Sequence, residues 1–380
     1  MAIGVPSASA ATPFLTITPS IAVRYDSNVA RASEAVAETR GLKRSDWRVT
    51  PNLNIDLEKP VGRQVLFLNG DVGYDFYARN HRLNRGRMLL NGGARLQFSR
   101  CTGSVYGSFA VRQTEVAELI DVERAGNTEH VTTVGADTRC QIANSISPFI
   151  GVSRTWVTNS PARRYADYNM NQANGGIAYS RPVFGELAIT ASVKDAHYPN
   201  RDTTLYLTDH FHMFSIGGRY SRDVGSRLKG SAAINRTTVD SGAGLPKFTG
   251  ITTDVSLTAL VSDNIQAQFS WIRDVKPVNV GFGAFAIDSR LSGGVNYGLS
   301  PRLTLSGGGG LIHRHVRGEY LLAGPELQSE RRTYEYASLT YKRTERTSLA
   351  LDVRHESRTA DPAIFNYHST SVGLVLRTAF

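Results

Sequence analysis

From Leu15 onward the chain alternates. Leu15, Ile17, Ile21, Val23 and Tyr25 fall on one parity, and Thr16, Thr18, Ser20, Ala22 and Arg24 on the other. A period of two places the two sets on opposite faces of one extended strand, whereas a helix would bring together residues three and four apart. The pattern returns at Trp47, Val49, Leu53, Ile55 and Leu57 against Arg48, Thr50, Asn52, Asn54 and Asp56. It recurs through the rest of the chain. Reading it segment by segment predicts about 18 strands, from one near 14–25 to one near 366–380, the even count that bacterial membrane barrels use.

Connection lengths distinguish a membrane barrel from a soluble sheet protein. Short turns such as Ser99-Arg100-Cys101, Ser262-Asp263-Asn264 and Leu299-Ser300-Pro301 alternate with longer connections near 26–45, 116–127, 159–167, 198–207, 239–247 and 316–329. Short periplasmic turns and long external loops are the habit of outer-membrane barrels. A soluble sandwich has no reason for that asymmetry, and a propeller would repeat in blocks of four strands. The mean hydropathy of −0.24 and the lack of a long apolar run exclude a transmembrane helix. They do not exclude a barrel, whose strands average lipid-facing and lumen-facing residues. The composition agrees, with 35 Gly, 16 Tyr and 15 Phe but only 4 Met.

The fold expected is therefore all-β: a transmembrane antiparallel up-and-down barrel in a bacterial outer membrane. It spans residues 14–380 as one domain, after a processed or trimmed N-terminal segment, 1–13. In the last segment Val372, Leu374, Leu376, Thr378 and Phe380 share one face. A terminal aromatic on an alternating strand resembles the signal by which such barrels engage their assembly machinery, so Phe380 is the expected contact.

The chain carries 43 Lys and Arg against 33 Asp and Glu, a net charge of +10. Turning the apolar parity to lipid sends Arg24, Arg48, Arg95, Arg112, Arg139, Lys194, Arg219, Arg227, Lys229, Arg290, Arg354 and Arg377 into the lumen. Asp56, Asp71, Asp75, Asp137, Asp254, Asp288 and Asp352 accompany them. Cross-strand pairing is one use for such charges, and the remaining excess of Arg implies an electropositive interior suited to an acidic solute. Arg154 has no assigned face, because the register of its strand is ambiguous. The external cluster Arg79, His81, Arg82, Arg85 and Arg87 suits lipopolysaccharide phosphates or plain solvation. Aromatics following the lipid face and strand ends argue for membrane girdles rather than nucleic-acid binding.

Cys101 opens one strand and Cys140 lies near the end of the next, on the shared face of Val105 and Val134, which predicts a disulfide at the periplasmic rim. Two cysteines make no zinc site, and His313 with His315 is read as polar surface; no metal and no other cofactor is expected. Gly307-Gly308-Gly309-Gly310 lacks the Lys-Ser/Thr of a phosphate loop and is read as a place of bending or close packing. No nucleophile–His–acid grouping stands out, so no catalytic residue is assigned.

The run Tyr25-Asp26-Ser27-Asn28-Val29-Ala30-Arg31 resembles a motif of the putative β-barrel porin group encoded with exopolysaccharide loci, with Ala30 in place of that family's aromatic. The alginate exporter is similar in a looser sense. The resemblance implies export of an acidic exopolysaccharide or capsular polysaccharide, with a periplasmic polysaccharide-export protein as partner. A general anion-selective diffusion porin is the alternative, and an outer-membrane enzyme or adhesion scaffold is a second.

Overall fold

The computed structural model describes residues 14–113, 127–201, 208–242, 247–277, 284–318 and 327–380. Segment 1–13, and most of the connections near 116–127 and 316–329, lie outside the described residues. Eighteen strands form one antiparallel sheet. They are β1 (Phe14–Asp26), β2 (Asp46–Val61), β3 (Gln64–Tyr77), β4 (Arg85–Phe98), β5 (Cys101–Gln113), β6 (Thr128–Cys140), β7 (Ile146–Thr158), β8 (Tyr168–Arg181) and β9 (Gly185–His197). There follow β10 (His210–Val224), β11 (Leu228–Asp240), β12 (Phe248–Ser262), β13 (Ile265–Pro277), β14 (Phe285–Ser300), β15 (Leu303–Arg317), β16 (Ser329–Lys342), β17 (Thr347–Asp361) and β18 (Tyr367–Thr378). Each strand pairs with its sequence neighbours, and β1 pairs with β18 from Ser20↔Arg377 to Asp26↔Ser371. Closure leaves no sheet edge, as a bilayer requires.

The alternation has the expected consequence. Leu15, Ile21, Val23, Leu53, Leu66, Val72, Ile150, Ile189, Leu291, Leu351 and Leu374 are exposed on the outer wall. Strands of 12 to 16 residues exceed the roughly 9–11 that a tilted strand needs to cross the hydrocarbon, so their ends project beyond it. Arg154 shares the outward face of Ile150 and Val152, which resolves its register. It lies four residues from the external end of β7 with its guanidinium 5.1 Å from the Trp156 ring. An outward charge there costs about 0–1 kcal/mol rather than the 2–4 kcal/mol of the midplane.

At the short-turn end, Cys101 and Cys140 face each other in register and their sulfurs are bonded. The bond closes a chain segment of sequence separation 39. By the chain-entropy account such a closure is worth about 2–4 kcal/mol. Reduction, or Cys101→Ser, is expected to lower the urea midpoint of the purified barrel accordingly. An unchanged midpoint would show that the β5–β6 ladder alone holds this corner.

Among the described residues, two inward structures narrow the long-loop end. The first is the β1–β2 connection, with its short helix α1 (Glu34–Thr39). Val29, Ala30, Ala32, Val36, Ala37, Leu42 and Leu83 form its small core, packed against Tyr77. Tyr77 pairs with Arg48, whose parity faces the lumen, so the connection sits on the lumen side of the wall.

The second is the upper β13–β14 hairpin. β12 pairs with β13 only from Thr253↔Arg273 downward, while β13 and β14 stay paired up to Pro277↔Phe285. Val275, Phe285 and Ile287 share the parity of outward Trp271 and Leu291, yet they pack among Phe211, Met213, Val239 and Phe248. Those four belong to the lumen parity of β10, β11 and β12. The hairpin has left the wall and lies inside it, its former outer face against the inner face of its neighbours. Burying each large apolar side chain there contributes about 1.5–3 kcal/mol.

Candidate functional site: the lumen wall

Register fixes the inward face strand by strand. Eleven of the basic residues expected in the lumen take inward parity: Arg24, Arg48, Arg95, Arg112, Arg139, Lys194, Arg219, Lys229, Arg290, Arg354 and Arg377. Arg227 does not. β10 runs on to Val224 and β11 starts at Leu228, which leaves Arg227 in the turn, its side chain 70% exposed and 3.8 Å from Asp263 of the adjacent turn.

The expected electropositive excess is also corrected. Beside the expected Asp75, Asp288 and Asp352, the same parity brings in Glu58, Glu129, Glu186 and Glu356, which the sequence reading did not place, and most lumen arginines hold a carboxylate. Arg24 binds Asp352 at 2.7 Å, Arg112 binds Glu129 at 2.9 Å, and Arg95 binds Glu58. Arg139 and Arg219 share Glu186 at 2.6 and 3.0 Å. Arg48 lies 3.6 Å from Asp75, Arg290 3.1 Å from Asp288 and Arg354 3.3 Å from Glu356. Bases and acids nearly alternate around the wall, so much of the net charge lies in loops, turns and the outer rim. Lys194, Lys229 and Arg377 make no ion pair among the described residues.

Aromatic rings line the lumen as well as the outer girdle. Arg95 stacks on Phe67 at 5.2 Å, Arg219 on Phe149 at 5.9 Å, and Arg354 on Tyr334 at 4.7 Å. Glycine makes room for the rings. A Cβ at Gly310 would stand 2.6 Å from the Tyr334 phenol, and one at Gly308 2.8 Å from that of Tyr336. Gly308 and Gly310 of the four-glycine run of β15 thus serve close packing against the tyrosines of β16.

The densest cluster was not singled out from sequence. Glu330 of β16 is fully buried between Arg314 at 3.3 Å, Arg332 at 3.0 Å and Arg358 at 2.6 Å. Arg314 also binds Asp288 at 2.8 Å. Even parity on β15, β16 and β17 was the available signal; nearness to strand ends hid it. A second knot joins the first loop to the closure seam. Arg31 grips Asp26 with both arms, at 3.0 and 2.8 Å, and reaches Ser369 at 2.8 Å. Burial works against the Arg31 charge, but the bonds and charge of Asp26 outweigh it and hold its proton more firmly than usual. Asn28 reaches across to the His368 carbonyl at 3.0 Å. The Tyr25–Arg31 run is therefore a latch between β1, its loop and β18.

Solved structures share this closed-barrel fold. A BenF-like porin from Pseudomonas fluorescens Pf-5 superposes with a TM-score of 0.52 at 12% identity, covering 97% of this chain and 99% of that one. The chain has the fold of an outer-membrane porin. Pseudomonas aeruginosa OccK2 (OpdF), solved in complex with glucuronate, gives 0.49 at 13% identity over 97% and 98%. Acinetobacter baumannii OccAB3 gives 0.48 at 9% over 96% and 99%. No family model and no curated protein matches the sequence. The exopolysaccharide-locus resemblance thus rests on its seven residues alone. Barrel, outer wall and fold together place the chain in a bacterial outer membrane.

Proposed function

We propose that this barrel is a diffusion channel for small acidic solutes. The observation that carries the reading is a strip of lumen arginines from β14 round to β2, Arg290, Arg314, Arg332, Arg354, Arg358, Arg24 and Arg48, with only β18 contributing none of them. Each is held by a carboxylate, so it is preorganised, and the exposed parts of Arg24, Arg48, Arg290 and Arg354 (31, 31, 36 and 46%) still present guanidinium surface to the lumen. A planar fork suits a carboxylate guest. A solute carboxylate exchanges from one arginine to the next, and the paired acids keep each site weak enough to release it.

Reversal potentials across a planar bilayer under a salt gradient test this. Wild type is expected to prefer anions, and Arg48→Gln with Arg354→Gln to lose most of that preference at similar conductance. Cation preference in the wild type would overturn the reading.

The Tyr25–Arg31 resemblance favours a second reading, export of an acidic polysaccharide delivered by a periplasmic export protein. Inward packing at the mouth argues against a polymer-sized path. Loss of polymer secretion in a deletion strain, restored by the wild-type gene, would favour export. Outward Arg154, Arg236 and Arg273 near the external rim suit lipopolysaccharide phosphates in either case.

A further inference from the structure

Outside the lumen, one group of side chains converges without a structural task that accounts for it. His197 ends β9, His210 opens β10, and the two are cross-strand partners on the outward face. Their rings lie 4.7 Å apart. Asp209 sits beside them, with Oδ1 2.5 Å from His210 Nδ1 and Oδ2 3.7 Å from His197 Nδ1. One donor atom from each of the three lies within 4.8 Å of the others. His197 Nδ1 is buried and has no hydrogen-bond partner among the described residues, the Asp209 oxygen being too far. A buried, unpartnered ring nitrogen aimed at a carboxylate is costly in isolation and is accounted for by a cation between them.

The geometry points to a divalent transition-metal site of the zinc class at the external rim, with His197, His210 and Asp209 as ligands. Two imidazoles and one carboxylate are a borderline donor set that zinc favours and calcium or magnesium does not. Tetrahedral zinc, with bonds of about 2.0–2.1 Å, needs donors roughly 3.3–3.5 Å apart. Side-chain rotation on a fixed ladder closes the remaining gap, and the Tyr198 N–H bond to the Asp209 carbonyl at 2.8 Å fixes that ladder. His212 and Asp195, 3.7 Å apart, stand one rung lower on the same face and add a further acid to the site's surroundings. The fourth position stays open to water.

The site lies back to back with the mouth constriction. Tyr198 and Phe211, the chain neighbours of His197 and His210, point inward into the cluster that holds the β13–β14 hairpin. A metal clip on the outer face stiffens the rung whose inner face carries the constriction.

Titrating purified, folded barrel with zinc chloride alone in a calorimeter tests the proposal. One equivalent is expected in the wild type. His197→Ala with His210→Ala should abolish it, and Asp209→Asn should weaken it at least about tenfold, the loss that removing even an outer partner brings. His313→Ala with His315→Ala, which removes the other outward His pair, should leave the stoichiometry unchanged. Heat-dependent gel mobility reports that each variant is a folded barrel. Identical zinc binding by the wild type and the His197/His210 variant, no binding by the wild type, or loss of the equivalent in the His313/His315 variant would each overturn the assignment.

Discussion

Glu330→Ala is expected to lower the stability of the barrel by about 3–5 kcal/mol, the cost of breaking a buried ion pair from one side. Glu330 is fully buried and is the common partner of Arg314, Arg332 and Arg358. Arg314 retains Asp288, but Arg332 and Arg358, whose side chains are 8% and 2% exposed, lose the carboxylate between them. Two guanidinium groups on directly paired positions of β16 and β17 then repel in a region where water screens poorly. Glu330→Gln keeps an acceptor and removes the charge, so its loss should be smaller. Urea titrations read by heat-dependent gel mobility measure both. An unchanged midpoint for Glu330→Ala would mean that water or other polar groups already solvate these arginines. In bilayers, any surviving Glu330→Gln channel should be more anion-preferring than wild type, because one fixed negative charge has left the basic strip.

The parity rule explains why so much of this wall was legible in the sequence. Within a strand, one confident lipid-facing residue fixes every other face, so Arg95, Arg219 and Arg290 could be turned inward from their neighbours alone. Where the rule needs a strand boundary it falters, and Arg227 was placed on a strand that begins one residue later. Pairing was less legible. That Arg139 and Arg219, from β6 and β10, converge on Glu186 depends on side-chain reach across several strands, which periodicity does not encode. The near balance of lumen charge was missed for the same reason: acids such as Glu58, Glu129 and Glu330 lie close to strand ends, where parity is hardest to assign. The inward hairpin left a trace that was not used. Phe211, Met213, Val239 and Phe248 are large apolar residues on the lumen parity at the external ends of β10, β11 and β12, and a water-filled pore has no use for them unless something covers them.

Replacing residues 29–43 by a short Gly-Ser turn is expected to raise single-channel conductance several-fold while leaving the barrel folded. The first half of the argument is placement. Tyr77, on the lumen parity, packs against the core of this connection, and Arg31 binds Asp26 and Ser369, both lumen-facing. The connection therefore occupies cross-section that ions would otherwise use. The second half is independence. β1 and β2 pair without interruption from Phe14↔Glu58 to Asp26↔Asp46, and the loop's apolar core is its own apart from Leu83 and Tyr77. Removing it costs local contacts but no wall ladder. Arg31→Ala is the milder form: it strips Asp26 of its bidentate partner, frees the latch to β18, and should raise conductance noise before mean conductance. If the loop replacement folds and conducts as wild type, the narrowest point lies elsewhere, and among the described residues the β13–β14 hairpin is the other inward structure at the mouth.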